Sequence, residues 1–341
     1  MLTRSTCITY PVCLVMSIGK KSFEALGRAI DKSGKTASRF LQPLEANISV
    51  MQSIARHVFR NAKVIVLTMD DSLIAKMYSK NIVGTGWFYH TKLGKKILSL
   101  KLMAGGITDG KHMFPLFCSL LYDKDFCSEP IQSKTDVVKS MILSTEKIFP
   151  DKQVYGIADG AFANKEVLAW AVENKKNLEL RMHKNRIVEF KEKRTRVDEI
   201  DALILRGRQM ARTVIVRWYG MQLYVTAVKR IDKHREESII YQVATFDAKP
   251  SQHAKMYRKR WPIEMFFRTA KETLGLKDCF STGIKTQLDH ASSVMLAYSL
   301  SLLEMKRLKL QKPEQAIRAL KLQNPFDIIK RFNAIDQIFR N

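Results

Sequence analysis

The feature that most constrains the fold of this chain is a run of apolar and β-branched residues that stops at two adjacent aspartates. Residues 64 to 69 read Val-Ile-Val-Leu-Thr-Met, and Asp70-Asp71-Ser72 follows at once. A continuous apolar run of this length predicts a strand that is buried on both faces. We therefore expect the strand to end at Asp70.

The elements predicted after this strand follow a recognisable order. They are the strand Ile97 to Ile107, the strand Met113 to Tyr122, a helix from about Lys134 to Phe149, the strand Gln153 to Ala158, and a helix that Asn164 opens and that runs through Trp170. The turn residues 108 to 111, Thr-Asp-Gly-Lys, predict an antiparallel hairpin between the first two strands. The fourth strand stops at Asp159. This order, with acids at the ends of the first and fourth strands, predicts a ribonuclease-H-like α/β fold with a mixed sheet flanked by helices.

A second pattern lies in the C-terminal third of the chain. Tyr257, Arg260, Glu264 and Lys271 are spaced at i, i+3, i+7 and i+14, which places them within roughly 60° of one another on one helical face. Arginine offers a bidentate fork and lysine a point charge, and both suit a phosphodiester. Pro262 lies inside the stripe and removes a backbone donor, so two short helices in register are the alternative to one continuous helix.

Asp70, Asp159 and Glu264 are candidate catalytic residues and metal ligands. Three carboxylates brought together repel one another unless a cation neutralises them. A pair of Mg²⁺ ions about 3.5–4 Å apart, held by oxygen ligands, is the usual solution.

Each of these acids also has a structural alternative. Asp71 is an alternative ligand to Asp70, and Asp159 precedes a glycine and suits a turn. Glu264 suits a solvated salt bridge with Arg260 or Arg268, which contributes little energy.

Together these residues resemble a known family. Residues 257, 260, 264 and 271 reproduce the Tyr-x2-Arg-x3-Glu-x6-Lys signature of DDE transposases of the insertion sequence 4 group, within the ribonuclease-H-like superfamily. Asp70-Asp71-Ser72 resembles the first-aspartate motif of that group, and Ile157-Ala158-Asp159-Gly160-Ala161-Phe162 resembles the second. The resemblance runs from about residue 60 to residue 300.

The resemblance implies a role for each signature residue. Asp70, Asp159 and Glu264 are the implied catalytic residues and the ligands of two Mg²⁺ ions, which Mn²⁺ can replace. The implied DNA contacts near the scissile phosphodiester are Tyr257, Arg260 and Lys271.

Residues 178 to 246 are predicted to form a basic, β-rich insertion between the second aspartate and the glutamate. Its predicted strands are Leu178 to Met182, Thr213 to Tyr219, Gln222 to Lys229 and Ser238 to Thr245. The resemblance implies that this stretch is the insertion typical of these enzymes. Trp218 is a candidate DNA contact that stacks on a base of the element's end, with a core position as the alternative.

The rest of the chain is predicted to be helical. The predicted C-terminal helices are Gln252 to Leu274, Gln287 to Leu308, Pro313 to Leu322 and Pro325 to Phe339. Residues 1–60 form a small basic helical region that either binds DNA ends or packs on the main domain. The catalytic domain is expected at 61–177 and 247–300, and further helices at 301–341.

Composition points to a nucleic-acid partner. The chain of 341 residues carries a net charge of +25, which implies a polyanion, with DNA or RNA favoured over a ribosome or an anionic membrane. Five scattered cysteines without a paired motif indicate reduced thiols. The apolar stretch from Tyr10 to Ile18 is too short to span a membrane, and no nucleotide-binding motif is present. We expect a cytoplasmic, nucleoid-associated bacterial protein with no membrane or nucleotide partner.

The resemblance, together with these features, implies a cut-and-paste DNA transposase that cleaves strands with Mg²⁺ and then joins the 3′-hydroxyl to target DNA. Its expected partners are terminal inverted repeats and target DNA, and pairing of two ends requires at least a homodimer on DNA. The alternatives are a ribonuclease-H-like DNA nuclease without strand transfer and a catalytically inactive repressor that binds terminal repeats. The first residues differ from the family's usual start, which leaves a truncated, inactive copy as a further alternative.

Overall fold

The computed structural model describes residues 6–77, 79, 81–121, 133–231 and 236–340. It has a large mixed sheet flanked by helices, as predicted, and is consistent with a ribonuclease-H-like transposase fold. The strands are β1 Val64–Ala75, β2 Gly86–His90, β3 Lys95–Thr108, β4 Met113–Leu121, β5 Gln153–Ala158, β6 Asn177–Met182, β7 Ile187–Phe190, β8 Lys193–Arg196, β9 Ala211–Trp218, β10 Met221–Ile231 and β11 Glu237–Ala244. The helices are α1 Thr9–Met16, α2 Phe23–Arg28, α3 Gly34–Ser38, α4 Leu44–Val58, α5 Lys134–Ile148, α6 Lys165–Glu173, α7 Pro250–Arg258, α8 Pro262–Glu272, α9 Ile284–Arg307, α10 Pro313–Lys321 and α11 Pro325–Arg340.

The described strands form one continuous sheet. Its order is β2-β3-β1-β5-β6-β11-β10-β9-β7-β8, and β4 pairs with residues 101–108 of β3, beyond the segment that pairs with β2. Strands β1, β5 and β6 are parallel, whereas the pairs on both flanks are antiparallel. The predicted hairpin of β3 and β4 is confirmed by their antiparallel pairing, although Tyr122 of the prediction lies outside the described residues. The strands predicted after residue 178 extend the central sheet. Strand β6 is the third parallel strand of that sheet, and β11, β10 and β9 follow it in the order.

The prediction that the first strand ends at Asp70 was wrong. Strand β1 continues to Ala75, because β3 pairs with it along its whole second half, from Asp70 opposite Ala104 to Ala75 opposite Ser99. The parallel pairing with β5 stops earlier, at Thr68 opposite Ile157. Asp70 therefore lies at the point where β1 loses its parallel neighbour and keeps its antiparallel one.

The strand that ends at Asp159 is the fifth strand of the chain, whereas the prediction made it the fourth. Strand β2 was missed because it lies at an edge and exposes its aromatic residues, so it lacks an apolar run: Trp87 is 52% exposed and Tyr89 61%. The short strands β7 and β8 were also missed. Each has only four residues, three of the four in β8 are basic, and the two strands pair with each other at the far end of the sheet.

The C-terminal helices surround one central helix. Helix α9 is buried on almost every side, and α1, α4, α8 and α10 pack on it. Pro262 begins α8, so the stripe from residue 257 to 271 is carried by two helices. In the part of the chain that the structure describes, no helix has the length and apolar character needed to cross a membrane.

Candidate active site

The two candidate aspartates belong to neighbouring parallel strands: Asp70 lies within β1, and Asp159 directly follows β5. Thr68 of β1 pairs with Ile157 of β5, and Asp70 and Asp159 each follow two residues later. Asp159 also begins a short 3₁₀ turn, where its Oδ1 accepts a hydrogen bond of 2.8 Å from the backbone N–H of Ala161. The register of two adjacent strands thus places the two carboxylates side by side at one end of the parallel part of the sheet.

Asp70 is held in an environment that disfavours its charged form. Burial is the main reason that its pKa is raised from 3.8 to about 7. The charge of Arg260 opposes this rise, whereas the nearby carboxylates of Asp159 and Asp71 add to it. A cation close to Asp70 would therefore favour the carboxylate.

Asp70 and Asp71 face opposite sides of the sheet because side chains alternate along a strand. The Asp71 carboxylate forms ion pairs with Lys134 at 2.6 Å and Lys101 at 3.5 Å. The Asp70 carboxylate instead faces Arg260 in the turn before α8. Asp71 is thus neutralised by lysines away from the helical stripe, while Asp70 lies beside it.

The stripe residues all face this part of the sheet even though Pro262 divides the helix. Tyr257 lies in the last turn of α7, 9% exposed, and packs with Val66 and Ile157. Arg260 lies in the turn between the helices, where the flanking residues keep near-helical backbone angles. Glu264 lies in the first turn of α8 and Lys271 in its last. The prediction of two short helices in register is confirmed.

Arg260 joins two of the candidate acids. Its Nη1 donates to Asp70 Oδ2 at 3.0 Å, and its Nη2 donates to Glu264 Oε1. Lys271 lies further along, where its Nζ donates to Ser72 Oγ and to the carbonyl of Leu73, both at 2.7 Å. One guanidinium thus supplies the cation that Asp70 and Glu264 share.

The donor chemistry of this cluster fits a divalent cation. Asp70, Asp159 and Glu264 offer only carboxylate oxygens, the ligands that Mg²⁺ and Mn²⁺ prefer. Within the described ranges, no three or more His, Cys, Asp or Glu side chains are gathered closely enough to hold a metal ion. Arg260 stands between two of the acids and meets the need for positive charge.

Trp218 lies apart from this cluster, in the sheet's far half. It is 6% exposed, so its ring faces are covered, whereas its neighbour Tyr219 is 65% exposed. Tyr219 and Gly220 form the tight turn between β9 and β10 with positive φ angles of 50° and 80°. The exposed aromatic ring here is Tyr219, which sequence reasoning missed; its position before a glycine between two strand-like runs was the available signal.

Arg181 is a second residue that sequence reasoning missed. Ala158 pairs with Leu180 in the parallel register of β5 and β6, so Arg181 follows beside Asp159. Arg181 is exposed, and its charge acts on the Tyr257 phenol together with Arg260. The alternation of apolar and charged residues along β6 was the available signal that Arg181 shares a face with Glu179, opposite the leucines.

Residues 132–300 match the family model of the transposase DDE domain. The matched segment contains Asp159 and the whole stripe from Tyr257 to Lys271, while Asp70 lies before it. No curated protein matches the chain. The family match supports a DDE transposase, with DNA as its partner and a divalent metal ion of the kind that such enzymes generally use.

Proposed function

We propose that this protein is a DNA transposase of the insertion sequence 4 group that moves its element by cut-and-paste transposition. The observation that carries the proposal is the cluster in which Arg260 joins Asp70 and Glu264, while Asp159, directly after the next strand, is close enough for its charge to act on Asp70. The match to the transposase DDE domain supports this reading of the cluster.

Asp70, Asp159 and Glu264 are the residues that would hold two Mg²⁺ ions, or Mn²⁺ in their place. When bound, such ions lower the pKa of water or of a sugar hydroxyl and stabilise charge on the leaving oxygen. Burial of Asp70 and its proximity to Asp159 and Asp71 make an unneutralised carboxylate costly at this position. The protein therefore contributes a site whose acids are stable together only when cations accompany them.

The cationic and phenolic residues of the stripe would position the DNA backbone. Arg260 can present its fork to a phosphodiester once its carboxylate partners bind another cation, and Lys271 adds a point charge. Burial raises the pKa of Tyr257 to about 12, so its hydroxyl keeps its proton at neutral pH and acts as a hydrogen-bond donor. Trp218 is covered in this structure, so base stacking by Trp218 requires movement of the turn at Tyr219.

The domain arrangement and assembly follow from the same proposal. Residues 61–177 and 247–300 form the catalytic part, residues 178–246 the basic insertion, and residues 1–60 and 301–341 the helical parts around them. Joining two terminal repeats requires at least a dimer on DNA. Residues 1–60 contribute to contacts with the DNA ends.

The test uses a duplex that carries the inverted repeat from the DNA flanking the coding sequence. The protein should nick this duplex only with Mg²⁺ or Mn²⁺, and Asp70→Asn, Asp159→Asn and Glu264→Gln should each lower the nicking rate at least 100-fold. The control is Glu166→Gln, an exposed acid in the first turn of α6, which should nick normally. Unchanged nicking by any of the three site variants, with folding verified by circular dichroism, removes that residue from the proposed site.

Product analysis separates strand transfer from simple cleavage. A supercoiled plasmid added to the reaction should acquire the labelled end through its 3′-hydroxyl. Cleavage without plasmid joining would assign the protein to the nuclease class, and binding without cleavage would indicate a repressor.

A further inference from the structure

A concave basic surface lies beside the candidate active site, and none of the roles considered so far uses most of it. The loop after α1, the end of α8 with the following loop, and the end of α10 enclose a cavity of about 370 Å³. Its basic residues are Lys20, Lys21, Lys271, Lys277 and Lys321, which we call the lysine basin. Only Lys271 belongs to the signature stripe.

Two lysines of the basin donate hydrogen bonds to neutral groups. Lys21 is 4% exposed, and its Nζ donates to the carbonyl of Ser17. Lys271 Nζ donates to a hydroxyl and a carbonyl of β1. Among the residues that the structure describes, none of the five basin lysines forms an ion pair with a carboxylate. Within the described residues, the positive charge of the basin is therefore not balanced by ion pairs.

The surroundings of the basin add to this charge. Lys76, 4% exposed, lies behind the loop and donates to the carbonyls of Lys277 and Cys279. Burial and the charge of Lys321 lower the pKa of Lys21 to about 8. Burial, followed by the charges of Lys277 and Lys92, lowers the pKa of Lys271. An anion in the basin would relieve this mutual repulsion.

The floor of the basin is formed by specific packing between two loops. Gly275, with φ of 76°, lies directly against the stem of Lys21: a Cβ at this position would overlap Lys21 Cγ and come within 2.8 Å of Lys21 Cβ. Asp278 Oδ2 accepts a hydrogen bond of 2.9 Å from the backbone N–H of Lys21. The loop after α1 is thus fastened to the loop after α8, and this contact forms the floor of the basin.

Lys271 connects the basin to the carboxylate cluster. Its ammonium lies at β1 just beyond Asp70, whose charge acts on it, and its helix end forms a wall of the basin. We infer that the lysine basin binds successive phosphates of the DNA strand that runs from the carboxylate cluster past Lys271. This inference rests on the proposed function, because it takes the substrate at the carboxylate cluster to be DNA.

The first test measures binding in EDTA, where no cleavage occurs, so that its outcome is independent of catalysis. A 30-base-pair duplex of mixed sequence is titrated by fluorescence anisotropy at several salt concentrations. The logarithm of the association constant K falls linearly with the logarithm of the salt concentration, by about 0.9 for each phosphate contact. Lys277→Gln/Lys321→Gln should therefore make this negative slope shallower by about 2. The matched control, Lys63→Gln/Lys147→Gln, removes two exposed lysines elsewhere and should keep the wild-type slope. Equal slopes for the basin variant and wild type, or equal losses in both variants, would overturn the inference.

The second test separates DNA phosphates from a free anion. Lysine acetylation is mapped by mass spectrometry with the same duplex or with inorganic phosphate in large excess over the protein. The duplex should protect Lys20, Lys277 and Lys321 and leave Lys63 and Lys147 reactive, whereas inorganic phosphate should give much weaker protection because it lacks the linked phosphates of a strand. Protection by inorganic phosphate alone would assign the basin to a small anion and would contradict a DNA track.

Discussion

A single arginine side chain decides the charge balance of the candidate site. Arg260 donates to Asp70 from one nitrogen and to Glu264 from another. The contact with Glu264 was predictable from the sequence, because residues four apart on a helix are neighbours. The contact with Asp70 was not, because it joins residues 190 positions apart and depends on how α8 packs against β1. The guanidinium thus competes with any metal ion for the same carboxylates.

Replacing this arginine should expose the competition. Arg260→Gln leaves Asp70 and Glu264 without a bound cation, so the DNA-free protein should bind Mn²⁺ more tightly, by roughly tenfold, or about 1.4 kcal/mol. Nicking should fall at the same time, because the fork that orients the phosphodiester is lost. Free Mn²⁺ measured by electron paramagnetic resonance gives the affinity.

The control for this prediction is Arg268→Gln, which removes the same charge from an exposed position on α8. It should leave Mn²⁺ binding unchanged. If both variants bind Mn²⁺ with equal affinity, Arg260 does not compete with the metal.

Gly275 gives a second prediction at the level of one residue. Gly275→Ala combines a left-handed backbone with overlap against Lys21, so it should lower the free energy of unfolding by about 3 kcal/mol or more. Gly94→Ala is the matched control, because Gly94 has φ of 61° and open space around it, and it should cost only about 1–2 kcal/mol. Urea denaturation of the two variants makes the comparison. Equal losses would show that the Lys21 stem moves aside freely.

Secondary-structure elements were predictable where the signal is local. The apolar run of β1, the hairpin of β3 and β4, and the helix start at Asn164 each arise from neighbouring residues. The length of β1 was not predictable, because the residues after Asp70 are polar and are held in the strand by pairing with β3. The choice between Asp70 and Asp71 was not predictable from local sequence either, because it depends on which helix residues face each side of the sheet.

One buried contact links α7 to the sheet and should make stability depend on pH. Glu179 of β6 and His253 of α7 are each 1% exposed, and His253 Nδ1 lies 3.3 Å from Glu179 Oε2. Burial raises the pKa of Glu179 from 4.5 to about 7, so the folded protein holds this proton more tightly than the unfolded chain. The protonated Glu179 carboxyl therefore contributes about 3 kcal/mol to the free energy of unfolding. This contribution is fully present below pH 4.5 and is lost as the pH rises through 7.

Glu179→Gln should remove this loss, because the amide keeps the shape of the protonated acid and can still hydrogen-bond to His253. Relative to wild type, the variant should gain stability as pH rises from 5 to 8, as measured by urea denaturation at each pH. The control is Glu173→Gln, which changes an exposed acid at the end of α6. Its free energy of unfolding should depend on pH in the same way as that of wild type. A parallel curve for Glu179→Gln would show that Glu179 is not the titrating group.

At the scale of the whole molecule, the helices before β1 and those after α8 form one layer. Asn47 Nδ2 of α4 donates to Ser292 Oγ at 2.9 Å and to Ser293 Oγ at 3.0 Å, both on α9. His290 of α9 lies between Tyr10 of α1 and the carbonyl of Gly275. That carbonyl can only accept, so Nε2 donates to it and Nδ1 accepts from the Tyr10 hydroxyl. Helical periodicity predicted a helical region over residues 1–60 and the helix from Gln287 to Leu308, but the contacts between them join residues more than 200 positions apart, beyond any local pattern.

This packing predicts that residues 1–60 cannot be removed without loss of the fold. A chain of residues 61–341 would expose the buried side of α9 and leave the polar groups of Ser292, Ser293 and His290 without their partners. We expect it to bind a hydrophobic dye and to lose cooperative unfolding in urea, and co-expression of residues 1–60 as a separate fragment should restore both properties. If residues 61–341 alone unfold cooperatively, the N-terminal helices are instead a separable module, and their contribution to DNA-end binding can be measured on the isolated fragment.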